Sequence, residues 1–171
     1  MMMQMNQQFD LAFNFLQNTG THLFLTGKAG TGKTTFLKKL KEVSPKRMIV
    51  VAPTGVAAIT AGGVTIHSFF QLPFGPYLPS ASREADQAKN FTNKFSRDKI
   101  NIIRSMDLLV IDEVSMVRAD LLDAISDVLC RYKDRTKPFG GVQLLLIGDL
   151  QQLVPVAKDD EWNLLKEHYP S

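Results

Sequence analysis

The sequence predicts an α/β fold, a parallel sheet with helices on both faces, and three observations carry that expectation. Four short apolar runs, Leu23 to Leu25, Met48 to Ala52, Leu108 to Ile111 and Leu144 to Ile147, are continuous rather than alternating. Continuous runs suit strands buried on both faces, as in parallel sheets. Leu121, Leu122, Ile125, Val128 and Leu129 recur at helical spacing and share one face, with Asp123, Asp127 and Arg131 elsewhere on the turn. Strand and helix patterns alternate along the chain, which is the order of α/β domains.

Length and composition set the bounds. The 171 residues amount to one domain at the usual ~150 residues each. With 44% hydrophobic and 22% charged residues, the chain is neither disordered nor fibrous. Its net charge of +3 permits a polyanionic partner without demanding one. The single cysteine, Cys130, forms no internal disulfide, and no spaced Cys/His set suggests zinc, so a reducing cytoplasmic setting is expected. The start, MMMQMNQQFD, lacks the basic and apolar regions of a secretory signal. The apolar runs fall well short of the ~20 residues that cross a bilayer, so no membrane role is expected.

The first strand leads into Gly27-Lys28-Ala29-Gly30-Thr31-Gly32-Lys33-Thr34, followed by a helical pattern from Thr35 to Lys41. This is G-x-x-x-x-G-K-[ST] in the context that gives it meaning, after a strand and before a helix. Glycines let backbone N–H groups converge on phosphates without a Cβ in the way, and the helix N-terminus adds its dipole. Gly27, Ala29, Gly30, Thr31, Gly32, Lys33, Thr34 and Thr35 are therefore the expected nucleotide-binding residues. Lys33 serves as a point charge on the terminal phosphates and Thr34 as a hydroxyl for magnesium. The expected fold is that of a P-loop NTPase, with ATP and Mg2+ as its cofactors.

The stretch 71–104 differs in texture, with Pro73, Gly75, Pro76 and Pro79 followed by Arg83, Lys89, Lys94, Arg97, Lys99 and Arg104 against three acids. It reads either as an inserted subdomain within a single domain spanning 1–171, or as a solvated loop over one sheet edge. The strand Leu108 to Ile111 then ends in Asp112-Glu113. In open α/β sheets ligands lie outside the carboxyl ends of the strands, so the pair is expected to face the phosphate loop. Asp112 would hold magnesium and Glu113 would take the proton of the attacking water; capping of a helix is the plainer alternative. The last strand ends in Gly148-Asp149-Leu150-Gln151-Gln152-Leu153. There the uncharged amide of Gln152 is either a sensor of the γ-phosphate or an ordinary turn residue.

Taken in order, Gly27 to Thr35, Ala52-Pro53-Thr54-Gly55-Val56-Ala57-Ala58, Thr65-Ile66-His67-Ser68-Phe69, Ile111-Asp112-Glu113-Val114-Ser115-Met116, Phe139-Gly140-Gly141 and the Gly148 to Val156 segment resemble the first-domain motifs of Pif/RecD-type superfamily 1 DNA helicases. The likeness covers about residues 22–157. It implies a RecA-like motor domain of an ATP-dependent DNA helicase, in a family whose members mostly move 5′ to 3′ and serve DNA maintenance. By the same resemblance Lys33, Glu113 and Gln152 are catalytic, Thr34 and Asp112 hold magnesium, and Pro53, Thr54, Gly55, Val56, His67, Ser68 and Phe69 contact single-stranded DNA. The residues themselves leave His67 and Phe69 open between base stacking and core packing. The adenine-reading glutamine of such helicases falls near Gln7, Gln8 or Asp10. A second RecA-like domain, which in the family supplies arginines to the γ-phosphate, is expected as a partner beyond these residues, the whole acting as a monomer. An ATP-regulated DNA-binding switch without unwinding is the alternative function.

Overall fold

A computed structural model describes residues 7–28, 30–78 and 95–169. Among them lie α1 (Gln7–Asn18), β1 (Leu23–Thr26), α2 (Lys33–Val43), β2 (Met48–Ala52), α3 (Gly55–Ala61), β3 (Val64–Thr65), α4 (Ile66–Phe70), α5 (Arg97–Ser105), β4 (Leu108–Ile111), α6 (Ala119–Tyr132), β5 (Gln143–Gly148) and α7 (Asp159–Leu165). The five strands form one sheet in the order β1-β5-β4-β2-β3. Every pairing is parallel, and Thr26 lies beside Gly148, Ile111 beside Leu146, and Ala52 beside Thr65. All strands thus leave the sheet at one edge. No helix of the described residues is long and apolar enough to cross a membrane.

The sheet separates two cores, and β4 shows why its sequence is an unbroken apolar run. Leu108 and Val110 pack on one face with Phe13 and Leu16 of α1 and with Phe36, Leu37 and Leu40 of α2. Leu109 and Ile111 pack on the other with Phe70 of α4, Ile103 of α5 and Ile125 and Leu129 of α6. Each such side chain contributes about 1.5 to 3 kcal/mol by leaving water. One expectation needs correcting. The run Leu23 to Leu25 forms an edge strand whose burial alternates, with Phe24 at 41% exposure, because only β5 flanks β1 and no described helix covers Phe24.

Strand-to-helix turns are set by short polar side chains. Thr54 ends the β2 segment and accepts the Ala57 N–H (3.2 Å) to cap α3; Thr65 ends β3 and accepts the Ser68 N–H (3.2 Å) to cap α4. Each cap satisfies a donor that the first helical turn leaves without a partner. At the other end of α3, Lys41 of α2 donates to Ala61 O (2.6 Å) and Gly62 O (2.8 Å).

The stretch 71–104 is less independent than its composition implies. Leu72, Tyr77, Phe95 and Ile103 belong to the core, and α5 packs against α6. The ends of the expected insertion are therefore part of the main domain, while 79–94 lie outside the described residues. Its beginning is tied down by Asp120, which is 2% exposed. Asp120 accepts two bonds from Arg118 (2.9 and 3.0 Å) and one from the Tyr77 N–H (2.8 Å). Arg118 also donates to Glu161 of α7 (3.0 Å) and to Gly75 O (3.1 Å). One ion pair thereby joins three stretches that are far apart in sequence. Replacing Asp120 with Ala strands a partly buried guanidinium and an amide, a change that costs about 3 to 5 kcal/mol. Thermal melting should show a Tm lower by roughly 10 °C; an unchanged Tm contradicts this account of the ion pair.

Candidate functional site

The phosphate loop leaves β1 at Thr26 and enters α2 at Gly32, whose φ of 91° is a left-handed value that favours glycine. Lys33, the first residue of α2, folds its ammonium back onto the loop, donating to Gly27 O and to Lys28 O (2.9 Å). Thr31 Oγ1 also donates to Lys28 O (2.8 Å). Thr34 and Thr35 are exposed in the first turn of α2. Of the expected nucleotide-binding set, Gly27, Gly30, Thr31, Gly32, Lys33, Thr34 and Thr35 lie together on this turn; Ala29 lies outside the described residues.

Asp112 and Glu113 follow β4, two strand positions from β1 with β5 between them. Glu113 has a left-handed backbone (φ 52°) and donates its N–H to Asp112 Oδ1 (3.0 Å). Burial raises the Asp112 pKa above the usual carboxylate range, against the lowering effect of that N–H and of the Lys33 and Lys41 ammonium groups. Parallel pairing of β1, β5 and β4 brings the carboxylate and the phosphate loop to one mouth of the sheet. At Gly148, the last residue of β5, a Cβ would come within 3.0 Å of Val114 Cγ1 and 3.2 Å of Ser115 N. A glycine here lets the acidic turn pack directly against the exit of β5. Asp149, buried just beyond, accepts the Gln151 N–H (3.0 Å) and the Gln152 Nε2–H (3.0 Å). Gln152 is thus exposed at the surface with its amide oriented by a buried carboxylate.

The donors suit Mg2+ carried by a nucleotide. A hydroxyl and a carboxylate are hard oxygen ligands, and Mg2+ commonly takes one or two of these while phosphates and water fill its remaining positions. No group of three or more His, Cys, Asp or Glu side chains is placed to hold a metal among the described residues.

The expected DNA-contact residues fall at the ends of β2 and β3, on the same sheet edge. Pro53 and Thr54 are half-buried, and Gly55, Val56 and Ser68 are exposed. Thr54 Oγ1 accepts the cap bond of α3 and keeps its O–H to donate. His67 and Phe69, which the sequence left open between stacking and packing, differ in burial. Phe69 is a core residue, 5% exposed and edge-on to Phe70, so its ring is not presented to a base. His67 is half-buried and stacked on Phe74 with centroids 4.9 Å apart and planes 20° apart. Burial first, and the Arg118 charge second, lower the His67 pKa and favour the neutral imidazole. Phe74 is 90% exposed and was missed in the sequence, where an aromatic residue between Pro73 and Gly75 reads as a turn.

Comparison with known proteins follows this geometry closely. The family model described as PIF1-like helicase matches residues 4–164. The chain is 38% identical over 159 residues to the ATP-dependent DNA helicase RRM3 of Saccharomyces cerevisiae, covering 90% of this chain and 21% of that protein. It is 38% identical over 148 residues to human ATP-dependent DNA helicase PIF1, covering 83% and 21%. Among solved structures, Bacteroides sp Pif1 in complex with ADP-AlF4 superposes with a TM-score of 0.90 at 47% identity, over 99% of this chain and 38% of that one. Bacteroides Pif1 bound to ssDNA superposes with a TM-score of 0.88 at 47% identity, over 99% and 38%. The chain thus spans about a fifth of the length of these helicases and under two fifths of the solved chains. A parallel sheet with a phosphate loop, an acidic pair and a glutamine turn at one edge, matched over nearly its whole length by these relatives, places the chain in the PIF1-like helicase family, with the RecA-like fold of its motor domain.

Proposed function

We propose that this chain is a motor domain of an ATP-dependent DNA helicase, binding and hydrolysing ATP at the β1, β5 and β4 ends and gripping single-stranded DNA at the β2 and β3 ends. The observation that carries the reading is the convergence of Lys33, Asp112 and the Asp149–Gln152 turn on one edge of a parallel sheet. Lys33 would exchange the carbonyls of Gly27 and Lys28 for phosphate oxygens. Thr34 and Asp112 would hold Mg2+, which supplies charge neutralisation between phosphates. Glu113 would take the proton of the attacking water, and Gln152, aimed by Asp149, would contact the γ-phosphate. Completion of the site falls to a second motor domain that delivers arginines. Arg118, committed to Asp120 and Glu161, does not fill that place. Residues within 71–104 would form the element beside the fork, and movement would run 5′ to 3′.

DNA contact is supported by the His67–Phe74 stack, in which Phe74 is 90% exposed and turns one ring face away from His67. Stacking of a base on such a ring is worth ~1 to 3 kcal/mol.

Four measurements test this reading. Glu113→Gln should leave binding of a fluorescent ATP analogue intact and lower DNA-stimulated hydrolysis by about 10²- to 10⁴-fold; retained turnover removes Glu113 from the base role. Because the Asp112 pKa is raised, the carboxyl takes up its proton at a higher pH than an exposed Asp as acid is added. Mg2+-dependent nucleotide affinity, followed by calorimetry, should therefore weaken earlier on acidification than an ordinary carboxylate allows. The same shift means that the ionised side chain destabilises the fold as pH rises through the folded pKa, so Asp112→Asn should raise Tm at pH 7 while abolishing the Mg2+ effect. Phe74→Ala should weaken binding of labelled oligothymidylate by about 1 to 3 kcal/mol in fluorescence anisotropy without moving Tm; unchanged affinity excludes the ring from the DNA track.

A further inference from the structure

The edge of the sheet opposite β1 is incompletely closed. β3 pairs with β2 only through Val51 and Ala52, so among the described residues no strand lies on the outer side of Met48 to Val50, whose inner side pairs with β4. Here a cavity of about 570 Å³ opens between the ends of α2 and α3 on one side and α4 and α5 on the other. Lys41, Lys46 and Lys99 line it together with Ser44 and Ser68, and no carboxylate does.

Each ammonium is held in place by neutral groups. Lys41 bonds the two carbonyls that end α3. Lys46 donates to Thr19 O (2.8 Å) and Gln143 Oε1 (2.5 Å). Lys99 stands 3.8 Å above the Phe69 ring. An ammonium has three donors, so Lys41 keeps one; the Lys46 ammonium, bonded to Gln143 at the start of β5, reaches past β4 and lends the groove only the rest of its chain. The nearest acids do not neutralise the group: Asp107, which acts on Lys46 at longer range, is held by Arg47 through two bonds (2.9 and 3.0 Å), and Asp112, which acts on Lys41, belongs to the nucleotide mouth. Burial lowers the pKa of all three lysines, in keeping with charges that lack an anionic partner. Lysines fixed in this way lose little rotamer entropy when an anion arrives.

The cavity also joins the proposed DNA strip, because Ser68 belongs to both. It is open, and apolar side chains such as Ile49, Val64 and Phe69 line it beside the lysines; the cations, which no lining carboxylate neutralises, are what suit it to phosphate contact. We propose that this groove binds the sugar–phosphate backbone of the nucleic-acid strand where it leaves the His67–Phe74 strip. The inference rests on the proposed DNA grip and extends it by a second, backbone-only contact.

Salt dependence tests it. For single strands the slope of log K against log salt is about −0.7 per phosphate contact. The 171-residue chain and its Lys41→Gln/Lys99→Gln variant would be titrated with oligothymidylates of about six and about sixteen nucleotides, lengths that bracket common single-strand site sizes. The variant should bind the longer strand several-fold more weakly, with a slope shallower by about 1.4 (two contacts), and the shorter strand unchanged. Equal slopes for chain and variant on the longer strand overturn the proposal. If the double change lowers Tm through the lost Lys41 bonds, Lys99→Gln alone, which gives up only a ring contact, should reduce the slope by about 0.7, and Lys99→Arg should restore it. If the short strand fails to bind the unaltered chain, the DNA-strip reading fails separately, and the slope on the longer strand still decides the groove. A polyglutamate peptide whose binding depends on Lys41 and Lys99, with no change in DNA slope, assigns the groove to acidic peptides and overturns the proposal.

Discussion

Parallel pairing of β1, β5 and β4 is the constraint on which the candidate site depends. Strands that run the same way release their chains at the same edge, so the phosphate loop, the acidic turn and the glutamine turn meet although more than a hundred residues separate the first from the last. The same geometry requires both faces of the sheet to be covered, since parallel strands are joined by crossovers that lie across them. Two apolar cores on opposite faces of β4 meet that requirement, and they hold the acidic turn at a fixed height above the sheet.

Much of this was legible in the sequence because the signals were local. The glycine-rich loop, its flanking strand and helix, and the charges after Ile111 each follow from residues within a short window. Strand order was not legible, because a sequence does not state which buried run lies beside which. The two-residue β3 was invisible for the opposite reason: Val64-Thr65 is too short for any periodicity, and its pairing comes from neighbours. Phe24 was misplaced because a run of three apolar residues looks the same at an edge as at the centre. Residues 71–78 and 95–104 carry loop-like composition, yet Leu72, Tyr77, Phe95 and Ile103 are recruited into the core by partners on α6 that no local pattern reveals.

The site also sets stability against chemistry. Desolvation of Asp112 disfavours its charge, whereas the magnesium-holding role proposed for it would need that charge. Lys33 bonds its ammonium to the carbonyls of its own loop. In the proposed function, nucleotide affinity is therefore a difference between two sets of hydrogen bonds rather than the strength of one. Asp149 shows the remaining pattern, a buried carboxylate employed to orient a neutral amide instead of to bind a cation.

The bonds from Lys41 to the end of α3 have a mechanical meaning. α2 begins at the nucleotide loop, its last turn clasps α3, and α3 begins at Thr54, so the two helices form a closed strut from one ligand region to the other. A rotation imposed on the first turn of α2 has little slack to disappear into before it reaches Thr54. Stiffness of this kind lets a domain report at one end of a sheet what has happened at the other without bending the sheet itself.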